Sequence, residues 1–280
     1  MDREIDVVIL QEKYIDYTRD VYIYLADMTT IVTAYFQLGK SKHTHDRYLE
    51  WMKNMLIIQS PMIIFCDKDS VKTIEAIRPE DSLYPTRIII TDFTEFYTYK
   101  YIETFERHYN EKDHEKYHHP ELYLIWNEKT HFLKRAIELN PFQTEYFLWT
   151  DIGCFREKNT DFIHWPNTSK IPTDNMLLLS VLPFTREEYD AETLESIPDF
   201  QYSDGRISGT IFGGTANSIL DWHEKYYQMM DYFLSIDRFI GKDQNIMSSV
   251  VIHHKDTVQL LNPDPNARNI WFYLQDYLSY

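Results

Sequence analysis

Glycine is the scarce residue of this chain. Seven occur in 280 residues, where a typical composition gives about 7 %. There is no G-x-G-x-x-G and no G-x-x-x-x-G-K-[ST], so neither a dinucleotide fold nor a P-loop enzyme is supported. Cysteine is limited to Cys66 and Cys154. Neither lies in a metal-ligand spacing and no disulfide framework is readable, which fits a reducing compartment. No window approaches the roughly 18 apolar residues of a spanning helix. The charged start, Met1 to Asp20, lacks the continuous apolar core of a signal peptide. A cytoplasmic location without a membrane span is expected. Positive charge is also short, with 28 basic against 44 acidic residues and a net charge of −16. That argues against nucleic acid or an anionic membrane as the main partner. A small phosphorylated ligand stays compatible, because a few local cations can hold one inside an acidic protein.

Apolar residues are plentiful: 44 % of the chain is hydrophobic and 16 % aromatic, enough for a sizeable core. Short apolar runs predict strands at Thr30–Phe36, Met62–Cys66, Arg87–Thr91, Tyr146–Trp149, Met176–Leu182 and Val258–Leu261. Helical stripes fall at His45–Ile58, Glu95–Tyr109, Glu121–Leu139, Ala216–Phe233 and Asp243–Val250. Strands alternate with helices through the first half, so the fold class is α/β with a mixed, mostly parallel sheet flanked by helices. No repeat or linker splits the chain. One domain over 1–280 is expected, with 1–28 as a polar lead-in.

Ligands of open α/β sheets gather at the carboxyl ends of strands. Asp67 and Asp151 each follow an apolar run, and Thr33, Ala34 and Tyr35 lie near the end of another. A nucleotide bound without a glycine-rich cradle needs its diphosphate charge offset. Asp151 is the best candidate ligand for a hard divalent cation. Its plain structural account is a turn-forming Asp-x-Gly at a strand end. Gly213 and Gly214 close the stretch Ser208–Gly214, where backbone N–H groups and the helix from Ala216 could face a ligand. Asp243, at the start of a helix, is either an N-cap or a carboxylate that holds sugar hydroxyls or takes a proton. Gln244 adds a neutral donor and acceptor. Lys129 and Arg156 flank the Asp151 strand and could neutralise a departing phosphate. His253 or His254 is a candidate second metal ligand. His108, His114, His118 and His119 lack zinc spacing and are expected to be solvated surface.

Together these segments resemble the HtrL/YibB family of bacterial proteins. The resemblance rests on TIVTAYFQLG (30–39), YLEWMKNML (48–56), PMIIFCD (61–67), ELYLIWNEKTHFLKRAIELNPF (121–142), YFLWTDIGCFR (146–156), SGTIFGG (208–214) and GKDQ (241–244). The family looks like GT-A-type glycosyltransferases. The resemblance implies a Rossmann-type nucleotide-sugar fold and metal-dependent transfer of a hexose from a UDP-sugar, with Mn²⁺ or Mg²⁺ as cofactor. The acceptor would be a saccharide or glycoprotein. Thr33, Ala34, Tyr35 and Asp67 would surround the nucleoside. Gly213, Gly214, Asp243 and Gln244 would face the donor sugar. Asp151 would match the final aspartate of an Asp-x-Asp metal motif, whose first position here is Trp149. That departure keeps a second reading open, a non-enzymatic nucleotide- or sugar-binding protein on a decayed transferase fold.

Overall fold

A computed structural model of the chain describes residues 28–79, 85–113, 115, 117–158, 162–200 and 205–279. The lead-in expected over 1–28 lies, apart from Met28, outside the described residues. Seven strands form one sheet: β1 (Thr29–Tyr35), β2 (Met62–Cys66), β3 (Thr86–Ile90), β4 (Tyr146–Thr150), β5 (Met176–Leu179), β6 (Ile211–Thr215) and β7 (Val258–Leu261). Their order is β3-β2-β1-β4-β6-β5-β7. The pairs β1–β2, β2–β3, β1–β4 and β5–β7 are parallel, and β6 alone runs against its neighbours β4 and β5. The described residues form one α/β domain, the fold class expected.

The strands alternate between two cores. Val32, Ile63, Phe65, Phe147 and Trp149 share one face with Phe105, Phe132, Trp222 and Ile246. These come from α3 (Ile102–Glu111), α4 (Pro120–Leu139), α5 (Ala216–Ser235) and α6 (Asp243–His253). Ile31, Ile64, Cys66 and Leu148 face the other way, onto Met52 and Met55 of α1 (His45–Leu56) and Ile74 of α2 (Val71–Ile77). Burial on both faces explains why these strands read as continuous apolar runs, not alternating ones. Both cysteines are free and buried, and burial first of all lifts the Cys66 thiol to about 12.

Local chemistry sets the element ends. The Thr44 and Thr215 hydroxyls accept from the first turns of α1 and α5. Pro120 opens α4, where its missing N–H costs nothing. Asn140 ends α4 at φ 27°, and its amide exchanges hydrogen bonds with the backbone of Thr144. That clasp folds α4 back onto β4. Two expectations change here. Gly213 and Gly214 lie inside β6 and not in a turn after it. His108 is fully buried, and His118 donates from Nδ1 to buried Asp113 at 2.6 Å, so neither is solvated surface. His114 lies outside the described residues.

The connections run from β1 outward through β2 to β3, then cross back to β4 on the other side of β1. This reversal opens a crevice outside the carboxyl ends of β1 and β4.

Three histidines make the fold sensitive to acid. Burial is the largest cause that pushes His108, His131 and His223 down to about 4 from 6.5. His131 Nδ1 and His223 Nε2 lie 3.1 Å apart, a contact that neutral rings satisfy and two imidazoliums do not. The unfolded chain takes up protons between pH 6.5 and about 4 that the fold excludes, so this stability is complete above pH 6.5 and is lost as pH falls towards 4. Glu128 acts oppositely, because burial lifts it to about 7 and its contribution declines as pH rises through that value. Urea denaturation should show a net loss of about 1–2 kcal/mol per histidine between about pH 7.5 and about pH 5. A His131→Gln/His223→Gln variant should lose less over the same interval. Equal wild-type stability at the two pH values would refute the assignment.

Candidate functional site

Asp151 follows the last residue of β4, and its N–H donates to Thr210 O at 2.8 Å. Its Oδ1 accepts from Trp149 Nε1 at 2.8 Å and lies 3.2 Å from Lys129 Nζ. The same ammonium lies 3.0 Å from Asp243 Oδ2 and donates to Gly209 O at 2.9 Å. One nitrogen thus joins the middle of α4, the end of β4, the segment before β6 and the start of α6. The structure brings Lys129, Asp151 and Asp243 together.

The electrostatics of this group are those of a buried cluster. The Lys129 side chain is 6 % exposed, that of Asp243 8 % and that of Asp151 34 %. Burial pulls the Lys129 ammonium down, but Asp151 and Asp243 outweigh it and hold it above the ordinary lysine value. Burial lifts the Asp151 carboxyl above its ordinary value, against the pull of Lys129 and the Trp149 N–H. Asp151 is therefore the carboxylate a ligand can reach. Asp243 Oδ1 accepts from Gln244 N, while its buried Oδ2 has the Lys129 charge beside it but no hydrogen bond.

Three consecutive residues of α4 each hold a different neighbour. Asn127 Nδ2 donates to Ile240 O and Gly241 O at 3.2 and 3.1 Å, and its Oδ1 accepts from Tyr226 of α5. This fixes the turn that presents Asp243. Glu128 accepts from the N–H groups of Tyr97 and Thr98. Lys129 enters the cluster. Successive helix positions lie about 100° apart, so the three side chains reach three segments.

The other expected residues are placed differently. Asp67 uses both oxygens at 2.8 Å on Gln37 N and Ser70 N, bracing the loops that follow β1 and β2. Thr33 is buried with its hydroxyl on Met55 Sδ, and the Tyr35 hydroxyl meets His45 Nδ1. Both face the α1 side, whereas Ala34 packs on the Trp149 side, so the trio does not share one surface. Gly213 and Gly214 pair with Leu148 and Phe147, roughly 7–10 Å back from the strand end. A Cβ on Gly213 would stand 2.2 Å from Phe147 O, and one on Gly214 2.4 Å from Ser218 Oγ. They are packing glycines. Because β6 is reversed, the α5 N-terminus lies at the opposite edge of the sheet from Asp151. His253 and His254 close α6, about 15 Å along its axis from Asp243, and neither reaches Asp151. Arg156 is exposed, with its guanidinium 4.5 Å from the Trp51 ring and 4.8 Å from the Phe272 ring. Among the described residues no carboxylate pairs with it.

A family profile described as "Bacterial protein of unknown function (HtrL_YibB)" matches residues 27–276. The chain belongs to this family. The curated Protein HtrL of Escherichia coli (strain K12) is 26 % identical over 164 residues, which are 51 % of this chain and 54 % of that protein. The chain therefore matches about half the length of this curated relative. Among solved structures, apo mouse xyloside xylosyltransferase 1 gives a TM-score of 0.44 at 9 % identity, covering 83 % of this chain and 84 % of that one.

The divalent cation implied by the resemblance does not fit this HtrL/YibB site. Of the three expected ligands, His253 and His254 stand at the far end of α6. Asp151 Oδ1 is already shared by an indole N–H and an ammonium. Water and substrate phosphates can fill most positions around such a cation, so what is missing here is the protein-held part of its shell.

Sequence reasoning missed Gly205 and Gly209 as site residues. A Cβ on Gly209 would stand 2.5 Å from Asp243 Oδ2, and one on Gly205 2.6 Å from Gln244 Oε1. Their signal was scarcity, but the closeness to α6 is tertiary. Gly209→Ala should displace the Asp243 carboxylate and destabilise the fold by about 1–3 kcal/mol in chemical denaturation. Gly39→Ala, where a Cβ meets nothing within 4 Å, is the control and should be near neutral. A silent Gly209→Ala would show that Asp243 is not tightly seated.

Proposed function

We propose that this protein transfers a hexosyl group from a UDP-sugar to a saccharide or glycoprotein acceptor. The observation that carries the reading is the buried Asp151–Lys129–Asp243 cluster at the β1/β4 crevice. Buried ionised groups at such a crevice are expensive to keep and are characteristic of a reacting or binding centre. The family resemblance, on the same residues, supports a nucleotide sugar as the ligand.

In this reading the bond from the anomeric carbon to the diphosphate oxygen breaks, and its electron pair leaves on UDP. The acceptor oxygen bonds to the anomeric carbon, and its proton passes to the departing diphosphate or to solvent water. Asp151, the reachable carboxylate, faces the donor. Arg156, held between two rings and with no carboxylate partner among the described residues, takes up charge on the departing diphosphate. Asp243 is a positioning residue, since its Oδ2 is sealed against Lys129. That burial favours Asp243 ordering the donor side over its acting as an open base.

The second reading, a non-enzymatic nucleotide- or sugar-binding protein, is favoured by the same sealed Asp243 and by Trp149 in place of a carboxylate. Thermal-shift and hydrolysis measurements over a panel of UDP-sugars separate the two. A stabilising donor that is also slowly hydrolysed supports transfer, and stabilisation without any hydrolysis supports binding alone. Arg156→Ala should lower transfer or hydrolysis about 10²-fold with an unchanged melting temperature, because the residue is exposed. An unaffected rate would remove Arg156 from the mechanism. If no UDP-sugar raises the melting temperature, the glycosyl-transfer reading falls.

A further inference from the structure

We propose that the Lys129 ammonium takes the place of a protein-held divalent cation in this site, which binds its ligand without one. The ligand's identity rests on the glycosyl-transfer reading, but the cation question stands on geometry alone. Lys129 Nζ lies between the two carboxylates, 3.2 Å from Asp151 and 3.0 Å from Asp243. Its third short contact is Gly209 O at 2.9 Å, so three oxygens surround the one ammonium. A cation on these carboxylates would sit against a fixed positive charge. The backbone of Gly209 presses against the Asp243 side of the pair, where a Cβ would stand 2.5 Å from Asp243 Oδ2. Trp149 adds an independent obstacle. Its indole N–H donates to Asp151 Oδ1, the atom that also faces Lys129. An N–H donor and a metal ion compete for the same lone pairs, and the residue supplies a donor where a metal site needs an acceptor.

The ligand's own negative charge then needs cations elsewhere. Arg156, Lys42 and Arg47 stand close enough together to act on one imidazole, that of His43, which burial and then these three push down. Arg47 is paired with Glu50, while Arg156 rests on Trp51 and Phe272. In a chain of net charge −16 this local positive group is the natural counterpart of a diphosphate.

The test begins with Mn²⁺ alone, its free concentration followed by electron paramagnetic resonance. The wild-type protein should take up no Mn²⁺ with a Kd below about 1 mM. Calorimetric titration with UDP should give affinities within about twofold in EDTA and in excess Mn²⁺. Lys129→Ala, which exposes both carboxylates, should gain at least about tenfold in Mn²⁺ affinity. Micromolar Mn²⁺ binding by the wild type that Asp151→Asn abolishes would overturn the proposal. So would UDP binding that falls tenfold or more in EDTA and returns with Mn²⁺, or a folded Lys129→Ala with no gain. Should Lys129→Ala not fold, the wild-type titrations decide by themselves. Should UDP bind under neither condition, the glycosyl-transfer reading fails, and the Mn²⁺ titration still decides the cation question.

Discussion

The ammonium of Lys129, held between Asp151 and Asp243, is the contact on which the carboxyl edge of this sheet depends. Four segments far apart in the chain meet at that one nitrogen. Two carboxylates that close, one of them buried, repel each other and lose hydration. A cation between them is what lets β4 and α6 end at the same point. The requirement propagates outward, because Lys129 sits near the middle of α4 and can be placed only by placing that helix. Asn140 ties one end of α4 to the turn before β4. Asn127 ties its centre to the turn before α6.

The reversed strand is the second constraint. A strand parallel to β4 would send the segment before it to the opposite edge of the sheet. Because β6 runs antiparallel, residues 208–210 arrive beside Asp151, and Thr210 O accepts the Asp151 N–H. The same reversal sends Thr215 and the start of α5 to the other edge. One choice of strand direction therefore decides which glycine serves the site: Gly209 stands against Asp243, and Gly213 and Gly214 are absorbed into packing.

Much of the architecture was legible because buried parallel strands write themselves as apolar runs. Met62–Cys66 and Val258–Leu261 have the bounds expected of them, and Tyr146–Thr150 differs by one residue. Asp151 was legible because a lone carboxylate after such a run falls at a strand end. The helix Val71–Ile77 left no stripe to read, since only Ile74 is buried. Thr33, Ala34 and Tyr35 are adjacent in the sequence, but neighbouring residues of a strand point to opposite faces. His253 and His254 are near Asp243 in the sequence, but the length of α6 separates them in space.

What the sequence determined by itself is the class of fold and the identity of the charged residues: apolar runs of strand length, helices between them, Asp151 and Asp243 at element ends, and Lys129 within a strong helix. These follow from local periodicity and from where apolar runs stop. What only the tertiary structure decided is which of these residues meet. The direction of β6, the sealing of Asp243, the donor role of Trp149 and the closeness of Gly209 all depend on contacts between segments distant in the chain. Local pattern carries no information about strand direction or about which charge a buried charge faces.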